Sequence, residues 1–146
     1  MPAASLGPLD VPALLARLGV FPRRITADSR RVEPGVAFAA YPGLHADGRR
    51  FVADAIARGA CAVLWEAQGF AWDAKWQVPN AGVEGLKARL GHVADFIYGS
   101  PSKSLWMAGV TGTNGKTSCA LWIAQAMDAC GRRAGVIGTL GNGLVG

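Results

Sequence analysis

The apolar positions of the first 65 residues alternate between short compact runs and helically spaced sets. Asp10 is a helix-capping residue, and Gly19 follows the first helical stretch as a stop signal. The spacing of Phe51, Val52, Ala55 and Ile56 predicts a second helix. The predicted elements are a helix at 10–18, strands at 25–27 and 36–40, a helix at 51–58 and a strand at 61–65. This alternation of strand and helix predicts a small α/β unit.

A second set of elements follows an irregular stretch, 66–79. Leu86, Leu90, Val93 and Ile97 form one stripe of an amphipathic helix, which ends at the glycine and proline of 99–101. We therefore predict a boundary near 79–82, with domains at 1–80 and 81–146. Beyond the helix, the pattern predicts a buried strand at 104–110, a glycine-rich loop, a helix at 116–130 and a strand at 134–137. That order predicts a βαβ unit with parallel strands and a right-handed crossover, which is the beginning of a larger parallel sheet.

Composition and charge narrow the class of protein. Apolar residues make up 51% of the chain, which is enough to form a core. The three cysteines lack paired spacing, which argues against a disulfide framework and favours a reducing, cytoplasmic location. We expect neither a signal peptide nor a membrane span, because no stretch reaches the roughly 20 apolar residues needed. The net charge of +5 comes largely from scattered arginine doublets, which suit anionic small molecules. We do not expect nucleic-acid binding, because the sequence has no basic run interleaved with aromatic residues.

The clearest motif is the loop GVTGTNGKTS at 109–118, which follows a predicted strand and opens a predicted helix. Its glycines allow backbone N–H groups to point at phosphate oxygens, and the helix adds its positive end. Lys116 can reach the β- and γ-phosphates of ATP, and the Thr117 hydroxyl can ligate Mg²⁺. The loop departs from the usual GxxxxGK[ST] pattern because Val110 stands where a glycine is expected. The predicted ATP-binding residues are Gly112, Thr113, Asn114, Gly115, Lys116, Thr117 and Ser118; a glycine-rich turn that binds nothing is the alternative.

The offset glycine gives the loop a specific resemblance. GVTGTNGKTS resembles the ATP-binding loop of the Mur ligases and of their folylpolyglutamate synthetase relatives. The stretches ITADSR at 25–30 and GLHADGRRF at 43–51 resemble the nucleotide-binding domain of the Mur ligases that add a third residue or a D-alanyl-D-alanine dipeptide. GTLGNG at 138–143 favours the third-residue ligase. The resemblance covers nearly the whole chain and implies an α/β fold, in which a small nucleotide-sugar-binding domain precedes the start of a P-loop, parallel-sheet ATP-binding domain.

The resemblance also implies an activity and a set of ligands. It implies an ATP- and Mg²⁺-dependent ligase that adds meso-diaminopimelate or L-lysine to UDP-N-acetylmuramoyl-L-alanyl-D-glutamate through an acyl phosphate. Lys116 would be catalytic, because it would neutralise charge on the transferring phosphoryl group. We expect Asp28 and Arg30 to pair with each other or to cap their turn. The implied contacts to the UDP-sugar are Ala27, Ser29, Leu44, His45 and Ala46, with an ordinary surface histidine as the alternative for His45.

Several alternatives remain open at the level of sequence. The chain lacks the downstream residues that the family uses, so we expect a fragment that does not ligate by itself. The rival enzymes are the dipeptide-adding Mur ligase, a fusion of both ligases, and folylpolyglutamate synthetase, which has no expected need of a uridine-binding unit before the loop. The rival of another class is a module that binds nucleotide without chemistry. The sequence does not distinguish diaminopimelate from lysine and does not predict the oligomeric state.

Overall fold

The computed structural model describes residues 7–145, and the chain divides between Leu105 and Trp106 into two compact units. Residues 1–6 and Gly146 lie outside the described residues, and part of the stretch tested for a signal peptide lies there with them. Within residues 7–145, none of the helices has the length and apolar character needed to cross a membrane.

A parallel sheet of four strands forms the centre of the first unit. The strands lie side by side in chain order: β1 (Arg24–Thr26), β2 (Val36–Ala40), β3 (Ala62–Glu66) and β4 (Asn80–Val83). In the register, Ile25 pairs with Ala37, Ala37 with Ala62, and Leu64 with Ala81. The α/β class is confirmed, and so are the three strands predicted between residues 25 and 65. The sequence analysis missed β4, because Pro79 and Gly82 look like breakers.

Helices and loops cover both faces of this sheet. Alternate strand residues point to opposite faces, so Ala39 and Leu64 join α1 (Val11–Leu18) and α3 (Leu86–Ile97) in one core. Phe38 and Val63 join α2 (Val52–Ala57) and the segment 67–79 in the other core. The predicted stripe of α3 is confirmed, because Leu86 and Val93 are buried and Leu90 and Ile97 pack beside them.

The ends of the first helix are the ones that the sequence predicts. Oδ1 of Asp10 accepts a hydrogen bond of 2.9 Å from the backbone N–H of Ala13, which satisfies one of the free donors of the first turn. Gly19 follows Leu18 with φ at 66°, the left-handed conformation that glycine adopts at little cost.

The second unit contains a helix and a hairpin. The predicted helix is confirmed as α4 (Lys116–Ala129), and Gly131 ends it with φ at 74°. The last predicted strand is confirmed as β5 (Gly135–Gly138), but it pairs antiparallel with β6 (Gly141–Leu144), which the glycine-rich sequence did not predict.

The strand predicted at 104–110 is wrong. No strand is formed there, and the side chains of Leu105, Trp106 and Met107 are exposed. A strand needs a neighbour that takes up its backbone hydrogen bonds, and among residues 106–145 the only sheet is the β5–β6 pair. The parallel βαβ unit predicted here is therefore not formed within the described part of the second unit.

The compact units also divide later than the boundary predicted near 79–82. Strand β4 takes its hydrogen bonds from β3, and the apolar stripe of α3 is buried on the first sheet. Both elements therefore belong to the first unit, because moving them elsewhere would leave the edge of β3 and the face of the sheet uncovered.

Candidate functional sites

The phosphate loop of the second unit joins residue 110 to α4 through two glycines in unusual conformations. Gly112 has φ at 150°, and Gly115, the residue before the helix, has φ at 76°. L-residues with side chains rarely adopt these conformations, so the glycines allow the turn. The loop therefore delivers the chain to the N-terminus of a helix of 14 residues, where free N–H groups and the helix dipole favour an anion.

Lys116 closes over this loop from the first turn of α4. Its Nζ donates hydrogen bonds to the carbonyl oxygens of Gly112, at 2.6 Å, and Thr113, at 3.2 Å. The side chain is exposed, so its ammonium group can exchange these carbonyl oxygens for those of a ligand. The loop is thus curved around a positive charge.

A cavity of about 470 Å³ lies between the loop, the first two turns of α4 and the turn of the β5–β6 hairpin. Its lining includes six of the seven predicted ATP-binding residues, and Gly112 is joined to it through Lys116. The cavity is lined by Thr113, Asn114, Gly115, Lys116, Thr117, Ser118, Leu121, Thr139 and Leu140. This donor set suits phosphate, because it combines an ammonium group, hydroxyls and the N–H groups of a helix N-terminus.

The residues expected to contact a UDP-sugar lie at the carboxyl edge of the first sheet. Ala27 and Ser29 follow the end of β1, and the segment 44–46 follows the end of β2. Because β1 and β2 are parallel neighbours, both segments leave the sheet at the same edge. The carboxyl edge of an open α/β sheet is where such folds bind ligands.

Ser29 is the one polar residue that is buried in the described part of the chain, with 7% of its surface exposed. The pKa of Asp54 is lowered, first by the neighbouring hydroxyl of Ser29 and then by Arg58, whose Nε donates to Oδ1 of Asp54 at 3.2 Å. Ala27 is exposed beside Ser29.

The second expected segment is the tip of a small hairpin, residues 41–48. The N–H of Gly48 donates to the carbonyl of Tyr41 at 2.9 Å, and the N–H of Gly43 donates to the carbonyl of Ala46 at 2.8 Å. Between these bonds Leu44 and His45 form the tip, and both are exposed. The 41–48 hairpin thus presents the three predicted residues, Leu44, His45 and Ala46, to solvent.

Two aspartate–arginine pairs stabilise the turns at this edge. The expected pair of Asp28 and Arg30 is confirmed: two side-chain bonds of 2.9 Å join them, and Asp28 also caps the 3₁₀ turn at Ser29–Arg31. A similar pair, which the sequence analysis missed, joins Asp47 to Arg49 at the base of the hairpin, with bonds of 3.0 Å from Nε and 2.8 Å from Nη2. In each pair the arginine lowers the pKa of the aspartate, and the aspartate raises the pKa of the arginine. Both aspartates are followed by arginine at i+2, which is the signal that could have revealed the second pair.

Glu66 is another acidic residue at the same edge that the sequence analysis missed. Its carboxylate accepts hydrogen bonds from the N–H groups of Gly85, at 3.1 Å, and Leu86, at 2.8 Å. It therefore caps the N-terminus of α3 from the end of β3, where a negative charge is favourable. Among residues 7–145, no three His, Cys, Asp or Glu side chains are grouped as metal ligands.

Comparison with known proteins gives a consistent result. The model of the Mur ligase family, catalytic domain, matches residues 23–98, more than half of the chain. A UDP-N-acetylmuramoyl-L-alanyl-D-glutamate–2,6-diaminopimelate ligase of Chromobacterium violaceum is 54% identical over 136 residues, which cover 92% of this chain and 28% of that protein. The protein of the same name from Nitrosomonas europaea is 50% identical over 133 residues, which cover 91% of this chain and 26% of the relative. The chain thus spans about a quarter of the length of the curated relatives that it matches.

Two solved structures are similar in both fold and sequence. One is a UDP-N-acetylmuramoyl-L-alanyl-D-glutamate–2,6-diaminopimelate ligase, with a TM-score of 0.60 and 28% identity over 86% of this chain and 25% of that one. The other is a MurF ligase from Thermotoga maritima in complex with ADP, with a TM-score of 0.57 and 26% identity over 75% of this chain and 24% of that one.

Proposed function

Because this chain belongs to the Mur ligase family, we propose that it supplies two nucleotide-binding parts of an ATP-dependent ligase of peptidoglycan synthesis. The first unit binds the uridine diphosphate end of UDP-N-acetylmuramoyl-L-alanyl-D-glutamate, and the second binds the phosphates of ATP. The amine added is 2,6-diaminopimelate, as the names of relatives 50% and 54% identical to it indicate. The observation that carries the proposal is the phosphate loop at the start of α4 in a chain whose first unit matches this family.

In the second unit, the loop and α4 bind phosphate. Backbone N–H groups of residues 112–118 point towards the anion at the helix N-terminus. Lys116 leaves the carbonyl oxygens of Gly112 and Thr113, now 2.6 and 3.2 Å from its Nζ, and pairs with the β- and γ-phosphates. The similar MurF ligase from Thermotoga maritima is a complex with ADP, which supports nucleotide binding in the family.

Thr117 lies in the first turn of α4, and its hydroxyl would hold Mg²⁺ next to the phosphates. A hydroxyl oxygen is a ligand that Mg²⁺ accepts, and the metal usually completes its shell with phosphate oxygens and water. When bound, the metal neutralises charge on the transferring phosphoryl group, and the ammonium of Lys116 acts on the same charge. The glutamyl carboxylate takes the γ-phosphoryl group from ATP, which leaves as ADP, and the incoming amine then displaces phosphate from the acyl phosphate to form the amide.

In the first unit, the two segments at the carboxyl edge hold the uridine. The Ser29 hydroxyl, next to the carboxylate of Asp54, offers oxygen lone pairs that can accept from a uracil N–H. Ala27 lies beside Ser29, and the tip of the 41–48 hairpin adds Leu44, His45 and Ala46. The burial of Ser29 restricts its side chain before ligand arrives, which lowers the entropy cost of binding.

Calorimetric titration of the chain with UDP and, separately, with ATP and Mg²⁺ tests the proposal. Ser29→Ala should weaken UDP about tenfold, the effect of one lost hydrogen bond, and should leave ATP unchanged. Lys116→Ala should weaken ATP at least tenfold, the effect of a lost charged hydrogen bond, and should leave UDP unchanged. Each variant is therefore the control for the other. A folded chain that binds neither ligand would contradict the proposal.

A further inference from the structure

Arg49 lies at the base of the 41–48 hairpin, and most of its side chain is covered by neighbouring residues. It belongs to the 3₁₀ turn Gly48–Phe51, and its side chain is 12% exposed, against 81% for Arg30 in the other aspartate–arginine pair. A guanidinium group is withdrawn from water at a cost, so its contacts must compensate.

The contacts of Arg49 extend in two directions. Towards the hairpin, Nε and Nη2 donate to the carboxylate of Asp47, which also accepts a bond of 3.0 Å from the backbone N–H of Arg49. Towards the segment 67–79, Nη1 donates to the carbonyl of Gln68 at 2.7 Å. The guanidinium carbon also lies 5.2 Å from the centre of the Phe70 ring, within the range of a cation–π contact.

The segment 67–79 is itself held firmly on the sheet. Phe70 stacks on Trp76 with ring centres 6.3 Å apart, and Trp76 meets Trp72 edge to face at 5.0 Å. Trp72 in turn stacks on Trp65 of β3 at 5.9 Å. Trp65, Trp72 and Trp76 pack against the buried core that contains Phe38 and Val63. The aromatic segment is therefore a fixed support, and Arg49 joins the hairpin to it.

We propose that Arg49 is a positioning residue for uridine binding: it ties the base of the 41–48 hairpin to the aromatic segment, so that the tip is held in the shape that meets the nucleotide. This inference rests on the proposed function, which assigns the hairpin tip to UDP. The role requires arginine, because only its planar fork can bond the carboxylate on one side, a carbonyl on another and still face an aromatic ring.

Hydrogen exchange and UDP titration of the whole chain, compared for wild type and Arg49→Lys, test this role. Lysine keeps the charge but loses the fork, so the amide of Gly43, bonded at 2.8 Å across the hairpin, should exchange faster. UDP affinity should fall about tenfold, the effect of one charged hydrogen bond lost from the support. The amide of Val63, which donates to Pro79 at 2.9 Å inside the sheet, should exchange as in wild type. Phe70→Leu keeps the hydrogen bonds of Arg49 but removes the cation–π contact, together with the ring contacts of Phe70 with Trp65 and Trp76, and should give a smaller change in the same direction.

Arg24→Lys is the matched control. Arg24 pairs with Glu33 at 3.2 Å with both side chains exposed, and it lies at the first residue of β1, away from the carboxyl edge. It should change neither Gly43 exchange nor UDP affinity. The inference is overturned if Arg49→Lys exchanges and binds as wild type does, or if Val63 loses protection together with Gly43, since Arg49 would then support the fold in general. If the wild-type chain binds no UDP, the function proposed for the first unit fails. In that case, exchange of the Gly43 amide in Arg49→Lys still tests whether Arg49 holds the hairpin on the aromatic segment. Faster exchange supports this role, and unchanged exchange overturns it.

Discussion

At the scale of single residues, one short device recurs in the first unit. In Asp28-Ser29-Arg30 and again in Asp47-Gly48-Arg49, an aspartate caps a 3₁₀ turn through the backbone N–H two residues on and binds the side chain of the same arginine. Each copy follows a strand at the carboxyl edge, next to a segment proposed to contact the nucleotide. The copies differ in environment, because Arg30 is mostly exposed and Arg49 is not. The enclosed pair should therefore contribute more to stability than the exposed one.

Acid should weaken the fold through these aspartates. The pKa of Asp47 in the folded chain lies below the ordinary value of 3.8, chiefly because Arg49 hydrogen-bonds the charged carboxylate. The stability from this pair is therefore complete above pH 3.8 and is lost as the pH falls through the lower folded pKa. In urea unfolding at pH 7 and pH 3, the free energy of unfolding should fall less between the two pH values for Asp47→Asn than for wild type. Asp28→Asn, whose arginine is exposed, should change the acid response less; equal effects of the two variants would contradict this ranking.

At the scale of elements, the packing of β4 depends on a glycine that faces a tryptophan. A Cβ built on Gly82 would lie 2.9 Å from Cη2 and Cζ2 of Trp65. The ring has little freedom to move, because its Nε1 donates to Asn80 at 3.1 Å and its face stacks on Trp72. Gly82→Ala should therefore cost roughly 1–3 kcal/mol of unfolding free energy, the usual range for overpacking. Urea denaturation measures this loss.

Gly91 provides the control for that substitution. It lies within α3, and a Cβ built on it meets nothing within 4 Å. Alanine there should stabilise the chain by up to about 1 kcal/mol, since alanine loses less backbone entropy than glycine in a helix. If both alanine variants were neutral, the contact between β4 and Trp65 would not limit the packing of this edge.

The elements that the sequence predicted are those with local signals. The cap at Asp10, the stop at Gly19, the α3 stripe and the glycine before α4 each act within a few residues, so they can be recognised without knowing the fold. Strand β4 and the missing strand at 104–110 show the opposite case. The four residues of β4 include a glycine, yet they form a strand because β3 offers them hydrogen-bond partners. The longer apolar run at 104–110 forms no strand, because no neighbouring strand pairs with it.

The candidate sites follow the same division. The residues of the phosphate loop could be proposed from the sequence as one group, because its glycines, its lysine and the helix N-terminus are consecutive in the chain. Arg49 was missed because its contacts at Gln68 and Phe70 lie 19 and 21 residues away and depend on how the aromatic segment folds. The placement of Ser29 and the 41–48 hairpin at one edge likewise required the parallel pairing of β1 with β2.

At the scale of the whole molecule, burial is distributed very unequally between the units. Of the 20 apolar residues that are buried among those described, only Ala124 belongs to the second unit. The first unit contains both cores and, by the function proposed above, the uridine site. The second contains the phosphate loop with a helix and a hairpin, and leaves Trp122, Ile137 and Leu144 exposed. The proposed ATP site can therefore be removed without removing the buried cores or the proposed uridine site.

Residues 1–105 alone should fold and keep the proposed UDP site. Because nearly all of the buried apolar surface lies within this range, its melting temperature should stay within about 5 °C of that of the whole chain, the shift expected for roughly 1 kcal/mol. UDP affinity should be unchanged, and ATP binding should be lost with the loop. Circular dichroism melting and calorimetry measure these outcomes.

In the whole chain, Leu86→Ala should lower the melting temperature strongly, because removing a buried leucine side chain from a core costs about 2–5 kcal/mol of unfolding free energy. Leu121→Ala in the second unit should leave the transition of the first unit in place. A shortened chain that is unfolded, or a Leu121 variant that melts the first unit early, would show instead that the two units stabilise each other.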